Sequence, residues 1–224
     1  MILQSEFLVN SGANMHFDKK FRAIYADPPW NFKAWSAKGT GRGAVSHYDT
    51  MSFADICSLP VASIADDDCV LFLWAIDPML PQACELIKTW GFVYKTVAFH
   101  WVKLNKKSSL NEEDFTEEGS WTYSDCFTGL GYWTRASSEI CLLATRGKPI
   151  RKAKNIRRLI IAPRREHSRK PDEARNRIES LVDGPYLDMF CRKTKPGWDC
   201  WGDEIGLFDQ GPVETRRQSS NLVE

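Results

Sequence analysis

Arg22-Ala23-Ile24-Tyr25-Ala26-Asp27-Pro28-Pro29-Trp30 is the stretch on which the reading of the fold turns. Its first five residues predict a short strand, and the strand must stop at Asp27 because two prolines cannot continue a hydrogen-bonded ladder. Working outward, Cys69–Ile76 is an unbroken apolar run of the kind found in a strand buried on both faces. Ser52–Ala65 predicts a short helix interrupted at Pro60, and Met79–Trp90 a helix stopped by Gly91. Phe92–Val102, Glu139–Thr145, Leu159–Ala162, Tyr186–Phe190 and Trp198–Trp201 read as further strands, and Lys103–Gly131 as a long polar loop. Pro171–Val182 predicts a helix, with proline and two acids in its first turn and Gly184 just beyond its end. Strands alternating with helices argue for an α/β fold with an open, mostly parallel sheet. We expect residues 1–209 to form a single domain, and the polar stretch 210–224 to be a flexible tail.

Composition narrows the function classes. The chain has 224 residues, 43% hydrophobic and 26% charged, which excludes disorder and gives enough length for a sizeable core. Its longest apolar run, Val70–Ile76, is too short to span a membrane, and MILQSEFLVNSG does not read as a secretory signal. Seven cysteines without a pairing pattern suit a reducing cytosol. None of the four histidines stands at metal-ligand spacing from a cysteine, so no metal site is expected. With 30 Lys+Arg against 29 Asp+Glu the protein is no uniformly basic nucleic-acid binder, but its charge is uneven. Arg146–Arg177 holds thirteen basic residues against Glu166, Asp172 and Glu173, whereas Asn111–Asp125 holds six acids and no base. Such runs are commonly solvated faces; Arg157 and Arg158 are the candidates for phosphate contacts.

In an open α/β sheet, ligands bind at the carboxyl ends of the strands, where Asp27 is placed. A residue before proline is held extended, and prolines offer no N–H, so the turn predicts a rigid group of acceptors: one carboxylate and one or two carbonyls. Trp30 adds a flat apolar face. This set suits a planar base carrying an exocyclic amino group. Two acceptors aimed at its N–H bonds would draw the nitrogen toward sp3 and free its lone pair for attack on a methyl group. Orientation and electrostatics would supply most of the effect. Stacking on Trp30 would add about 1–3 kcal/mol.

Asp27-Pro28-Pro29-Trp30 resembles the catalytic signature of the MT-A70 family of S-adenosylmethionine-dependent N6-adenine methyltransferases. His167-Ser168-Arg169-Lys170-Pro171-Asp172-Glu173 and Gly197-Trp198-Asp199-Cys200-Trp201-Gly202 are similar to blocks of its bacterial and phage branch, and the likeness runs from about Arg22 to Gly206. It implies a Rossmann-like class I methyltransferase fold in permuted order, with the catalytic loop first and the cofactor segment last. It implies Asp27, Pro28, Pro29 and Trp30 as the catalytic residues. Asp27, Lys170, Asp188, Phe190, Arg192, Asp203 and Glu204 would hold S-adenosylmethionine, with Lys170 on its carboxylate. Trp30, Tyr48 and Glu139 would line the target-base pocket. Asp188 and Asp203 depart from the family's usual Glu and Asn; an aspartate can accept from ribose hydroxyls but cannot donate as an amide does.

Plainer readings stand beside these. Lys170 could be a helix-start residue, Glu139 a solvated strand end, and Arg192 the partner of an acid such as Asp188. Trp198 and Trp201 read as core packing. Gly39, Gly41 and Gly43 follow no strand, so we read them as a gate over the substrate rather than a phosphate cradle. The resemblance implies DNA as substrate and partner, with RNA or a non-catalytic nucleic-acid-binding role as alternatives. A monomer or homodimer without membrane attachment is expected, in the cytoplasm of a bacterium or a phage-infected cell.

Overall fold

A computed structural model describes residues 9–10, 15–32, 50–108, 110, 122–129, 131, 133–166 and 168–209. Its sheet has eight strands: β1 (Val9–Asn10), β2 (Phe21–Ala26), β3 (Ala65–Ala75), β4 (Val93–Leu104), β5 (Ser138–Arg146), β6 (Leu159–Pro163), β7 (Tyr186–Met189) and β8 (Trp198–Trp201). They lie in the order β1-β8-β7-β2-β3-β5-β4-β6. All run parallel except β5, which is antiparallel to both of its neighbours. The amino end of β5 therefore shares an edge with the carboxyl ends of the others.

The apolar run in β3 is continuous because both faces are covered. Leu71 and Leu73 pack with Phe21, Ile24, Leu86, Ile87 and Trp90 on one side. Val70, Phe72 and Trp74 pack with Tyr25, Phe99, Trp101, Ile178 and Trp198 on the other, following the two-residue period of a strand. The first face carries α1 (Phe53–Ser58), α2 (Val61–Ile64) and α3 (Leu80–Thr89); the second carries α4 (Asp172–Leu181). Ser52 caps α1 by accepting from the Asp55 amide at 3.1 Å, and Pro60 separates α1 from α2. Gly91, at φ +83°, turns the chain out of α3. Pro171 caps α4, whose acidic first turn complements the helix dipole and whose inner face buries Ala174, Arg175 and Ile178. Among the described residues no helix is long and apolar enough to cross a membrane.

Candidate active site

Pairing of β2 with β7 and β3 through Ala26 leaves Asp27 at the carboxyl edge, beside the chain leaving β7. Its Oδ2 accepts from Lys170 Nζ at 2.6 Å, while Oδ1 has no hydrogen-bond partner among the described residues. Lys170 arrives from the segment joining β6 to α4, where Ser168 takes a left-handed φ of +64°. The same ammonium lies 3.3 Å from Glu139 Oε2 and 5.5 Å from the centre of the Trp74 ring. Glu139 is there because β5 runs backwards, bringing its start opposite Trp101 of β4. Its other oxygen, Oε1, accepts from Lys103 Nζ.

The charges differ in kind. Burial raises the pKa of Asp27, and the Lys170 ammonium only partly offsets it. Burial acts on Glu139 in the same direction, but Lys170 and Lys103 together prevail and hold it down at about 2.

Below this group lies a cleft lined by Tyr25, Asp27, Lys170, Asp188, Phe190, Arg192 and Phe208. Asp188, 6% exposed, forms its floor and is bound by Arg175 Nη1 at 3.1 Å. Burial pushes Asp188 up to about 7 although Arg175 pulls it down. Arg175 also donates to the Lys193 carbonyl and to Asp172, and Asp172 gathers Arg165 and Lys193 as well. Arg192 pairs with Glu204 at 2.8 Å and not with Asp188. Phe190, left-handed at φ +63°, meets Trp201 edge-on at 5.3 Å. A Cβ on Gly202 would come within 2.9 Å of the Phe190 Cα, which explains the glycine closing the last motif. Asp203 is exposed at the same turn.

Two expectations change. The prolyl carbonyls are not left without donors: Pro28 O accepts from the Trp30 amide at 2.8 Å and Pro29 O from the Met51 amide at 3.0 Å. These two amides satisfy them, leaving each carbonyl one lone pair. Trp30 is 4% exposed, with its indole N–H on the Trp74 carbonyl at 3.2 Å, so the face expected to stack on a base is packed into the core. Asp188 lines the cleft with Oδ2 accepting from Arg175. Arg157 and Arg158 precede β6, the outermost strand; because Leu159 pairs with His100, they stand beside the middle of β4, four strands to the side of β2 and Asp27. Trp198 and Trp201 are core residues as expected. Tyr48, the glycines at 39, 41 and 43, and the 210–224 tail lie outside the described residues.

Two site residues escape a reading of the sequence. Lys103 stands at the expected start of a loop, although it continues the inward-facing alternation of Trp101 in β4. Arg175 sits on the apolar stripe of α4 with Ala174 and Ile178, a readable sign of a buried, paired charge.

The MT-A70 family model matches residues 21–204. The chain is 32% identical to a Mycoplasma protein named Type II methyltransferase M.MunI, covering 84% of this chain and 78% of that one. It is 26% identical to human N(6)-adenine-specific methyltransferase METTL4, over 87% of this chain and 39% of that protein. It is also 26% identical to the human N(6)-adenosine-methyltransferase catalytic subunit METTL3, over 89% of this chain and 31% of that one. The chain thus spans well under half of the two human relatives.

Proposed function

The chain belongs to the MT-A70 family of methyltransferases, and from that premise we propose that it transfers a methyl group to the N6 amino group of adenine in DNA. The observation that carries the reading is Asp27: a half-buried carboxylate at the carboxyl edge, held at Oδ2 by Lys170 and, among the described residues, open at Oδ1. The similarity to a Type II methyltransferase supports DNA, and the similarity to proteins named adenosine methyltransferases supports RNA as a second reading. On the first reading residues 1–209 act as one domain with its motifs in permuted order.

The donors around the cleft fit S-adenosylmethionine. Lys170 offers an ammonium to its carboxylate, and Asp27 a carboxylate to its ammonium. Arg192 and Glu204 offer polar groups beside the Phe190 ring. When bound, the cofactor supplies an electrophilic methyl group on a sulfonium.

The chain's own residues do the rest. Asp27 Oδ1 accepts from the target amino group and orients its lone pair. As the nitrogen gains the methyl carbon, the carbon–sulfur bond breaks with its electron pair left on sulfur as a thioether, and the nitrogen gives up one proton. Asp27, with its pKa raised by burial, is the nearest base to take that proton. Inside a duplex the amino group is paired and stacked, so the base must be extruded or supplied single-stranded, at a cost of a few kcal/mol. Trp30, packed beneath the turn, acts by fixing Asp27.

Purified protein given the cofactor and either DNA or RNA should produce N6-methyladenine, read by digestion and mass spectrometry. Asp27→Asn keeps the shape but can turn an NH2 toward the target. It should lower the rate by at least about a hundredfold, with melting temperature little changed. Near-normal turnover in that variant would remove Asp27 from the chemistry.

A further inference from the structure

Two lysines and two carboxylates form an alternating row at the carboxyl edge: Lys103, Glu139, Lys170 and Asp27. The row lies along two indoles. Lys103 Nζ is 5.1 Å from the centre of the Trp101 ring, and Lys170 Nζ is 5.5 Å from that of Trp74. The two rings meet edge-on at 6.4 Å. The side chains of Lys103 and Glu139 are each 19% exposed, and that of Lys170 is 10% exposed, so water screens these charges weakly.

We propose that Lys103 is a positioning residue for methyl transfer: by neutralising Glu139 it lets the single ammonium of Lys170 keep Asp27 a carboxylate with one oxygen open. The proposal rests on the function argued above. Charge counting carries it. Lys170 alone would face two carboxylates, and two like charges sharing one buried cation cannot both stay ionised; one takes up a proton. A proton on Asp27 would abolish the acceptor that the target amino group needs. A proton on Glu139 would release Lys170 to bind Asp27 more fully and crowd the same acceptor. With Lys103 in place the row is neutral and both acids stay ionised. Among the described residues, the titratable groups facing Glu139 are Lys103 from β4, Lys170 from the segment entering α4, and Asp27 from the end of β2; Arg192 adds positive charge on the Asp27 side.

The competing explanation is that Lys103 only staples β4 to β5. Lys103→Met should move the acid limb of kcat upward by about one pH unit or more and leave the cofactor KM within about twofold. Lys103→Gln, which can still hydrogen-bond but carries no charge, should behave like Lys103→Met, and Lys103→Arg should restore the profile. A second readout does not need turnover: carboxyl 13C NMR titration, with Asp27 and Glu139 assigned through Asp27→Asn and Glu139→Gln. In Lys103→Met or Lys103→Gln one of the two midpoints should rise. A lower melting temperature with both the pH profile and the carboxyl midpoints unmoved makes Lys103 a staple and overturns the proposal. If the wild type methylates neither DNA nor RNA, the assigned function fails, and unmoved midpoints then overturn the charge arrangement separately.

Discussion

The cleft and the stretch leading into β6 use charge in opposite ways. At the cleft Lys170, Arg175 and Asp188 are largely buried, and each is matched by a named partner. On the stretch leading into β6, the outermost strand, Lys148, Arg151, Lys154, Arg157 and Arg158 stand exposed. In sequence these are one continuous basic run, Arg146–Arg177. β6 divides it, and as the outermost strand it holds Arg157 and Arg158 four strands, roughly 19 Å, to the side of β2. Density of basic residues therefore says little until the strand that separates them is placed. The first half should answer to salt, and the second to the removal of a partner.

The largest expected effect sharpens the buried side. Arg175→Met takes the cation from Asp188 and Asp172 beside the cleft, and breaking a buried pair costs up to about 3–5 kcal/mol where the carboxylate is ionised. The sign with pH follows from Asp188, whose folded pKa of about 7 lies above its ordinary value of 3.8. A carboxyl raised in this way stays protonated in the folded state, so the stability linked to it is greatest below about pH 4 and declines as pH rises to about 7. Removing Arg175 raises the group further. Urea unfolding should therefore show a greater loss at pH 8 than at pH 5.5. An equal loss at both would mean that Asp188 is not the group stranded.

A smaller effect is expected at Lys170, which is about as buried but borders the cleft. A charge-assisted contact to a cofactor carboxylate contributes about 1.5–3 kcal/mol, so Lys170→Ala should weaken S-adenosylmethionine binding roughly ten- to a hundredfold by calorimetry. Unchanged affinity would leave Lys170 as the counter-ion of Asp27 and Glu139 alone.

Much of this architecture is legible from residue order. Strand β8 falls where its sequence places it, and β2, β5, β6 and β7 begin or end within one residue of expectation, because prolines, glycines and apolar runs punctuate them. β3 starts earlier than its apolar run, since Ala65–Asp68 pairs at the edge without being buried throughout. The direction of β5 cannot be read, because an apolar run carries no sign of which way its neighbours run. That direction decides whether Glu139 is a solvated end or part of the site. Lys170 and Glu139 are ambiguous in sequence for the same reason: a polar residue at an element's end takes its meaning from what the sheet order brings opposite. The satisfied carbonyls of Pro28 and Pro29 depend on the Trp30 and Met51 amides. The Met51 contact closes across a long segment that local rules do not reach.

The smallest expected effect tests the exposed side. Arg158 donates to the Thr96 hydroxyl at 3.1 Å and is exposed, so replacing it with alanine should change folding stability by no more than about 0.5 kcal/mol. The worth of Arg157 and Arg158 would lie in long-range attraction to a phosphate backbone. Removing one arginine–phosphate pair on duplex DNA should flatten the log–log dependence of affinity on salt by about 0.9. The lateral separation makes the outcome specific. A duplex that engages Asp27 must also extend across the sheet to β6 to meet these arginines, so the flattened slope should appear with long duplexes and vanish with a site only a few base pairs long. Cofactor affinity should not move, because the cleft lies four strands away. A slope identical to wild type on long DNA would leave this half of the basic run as a solvated face and assign all nucleic-acid contact to the carboxyl edge.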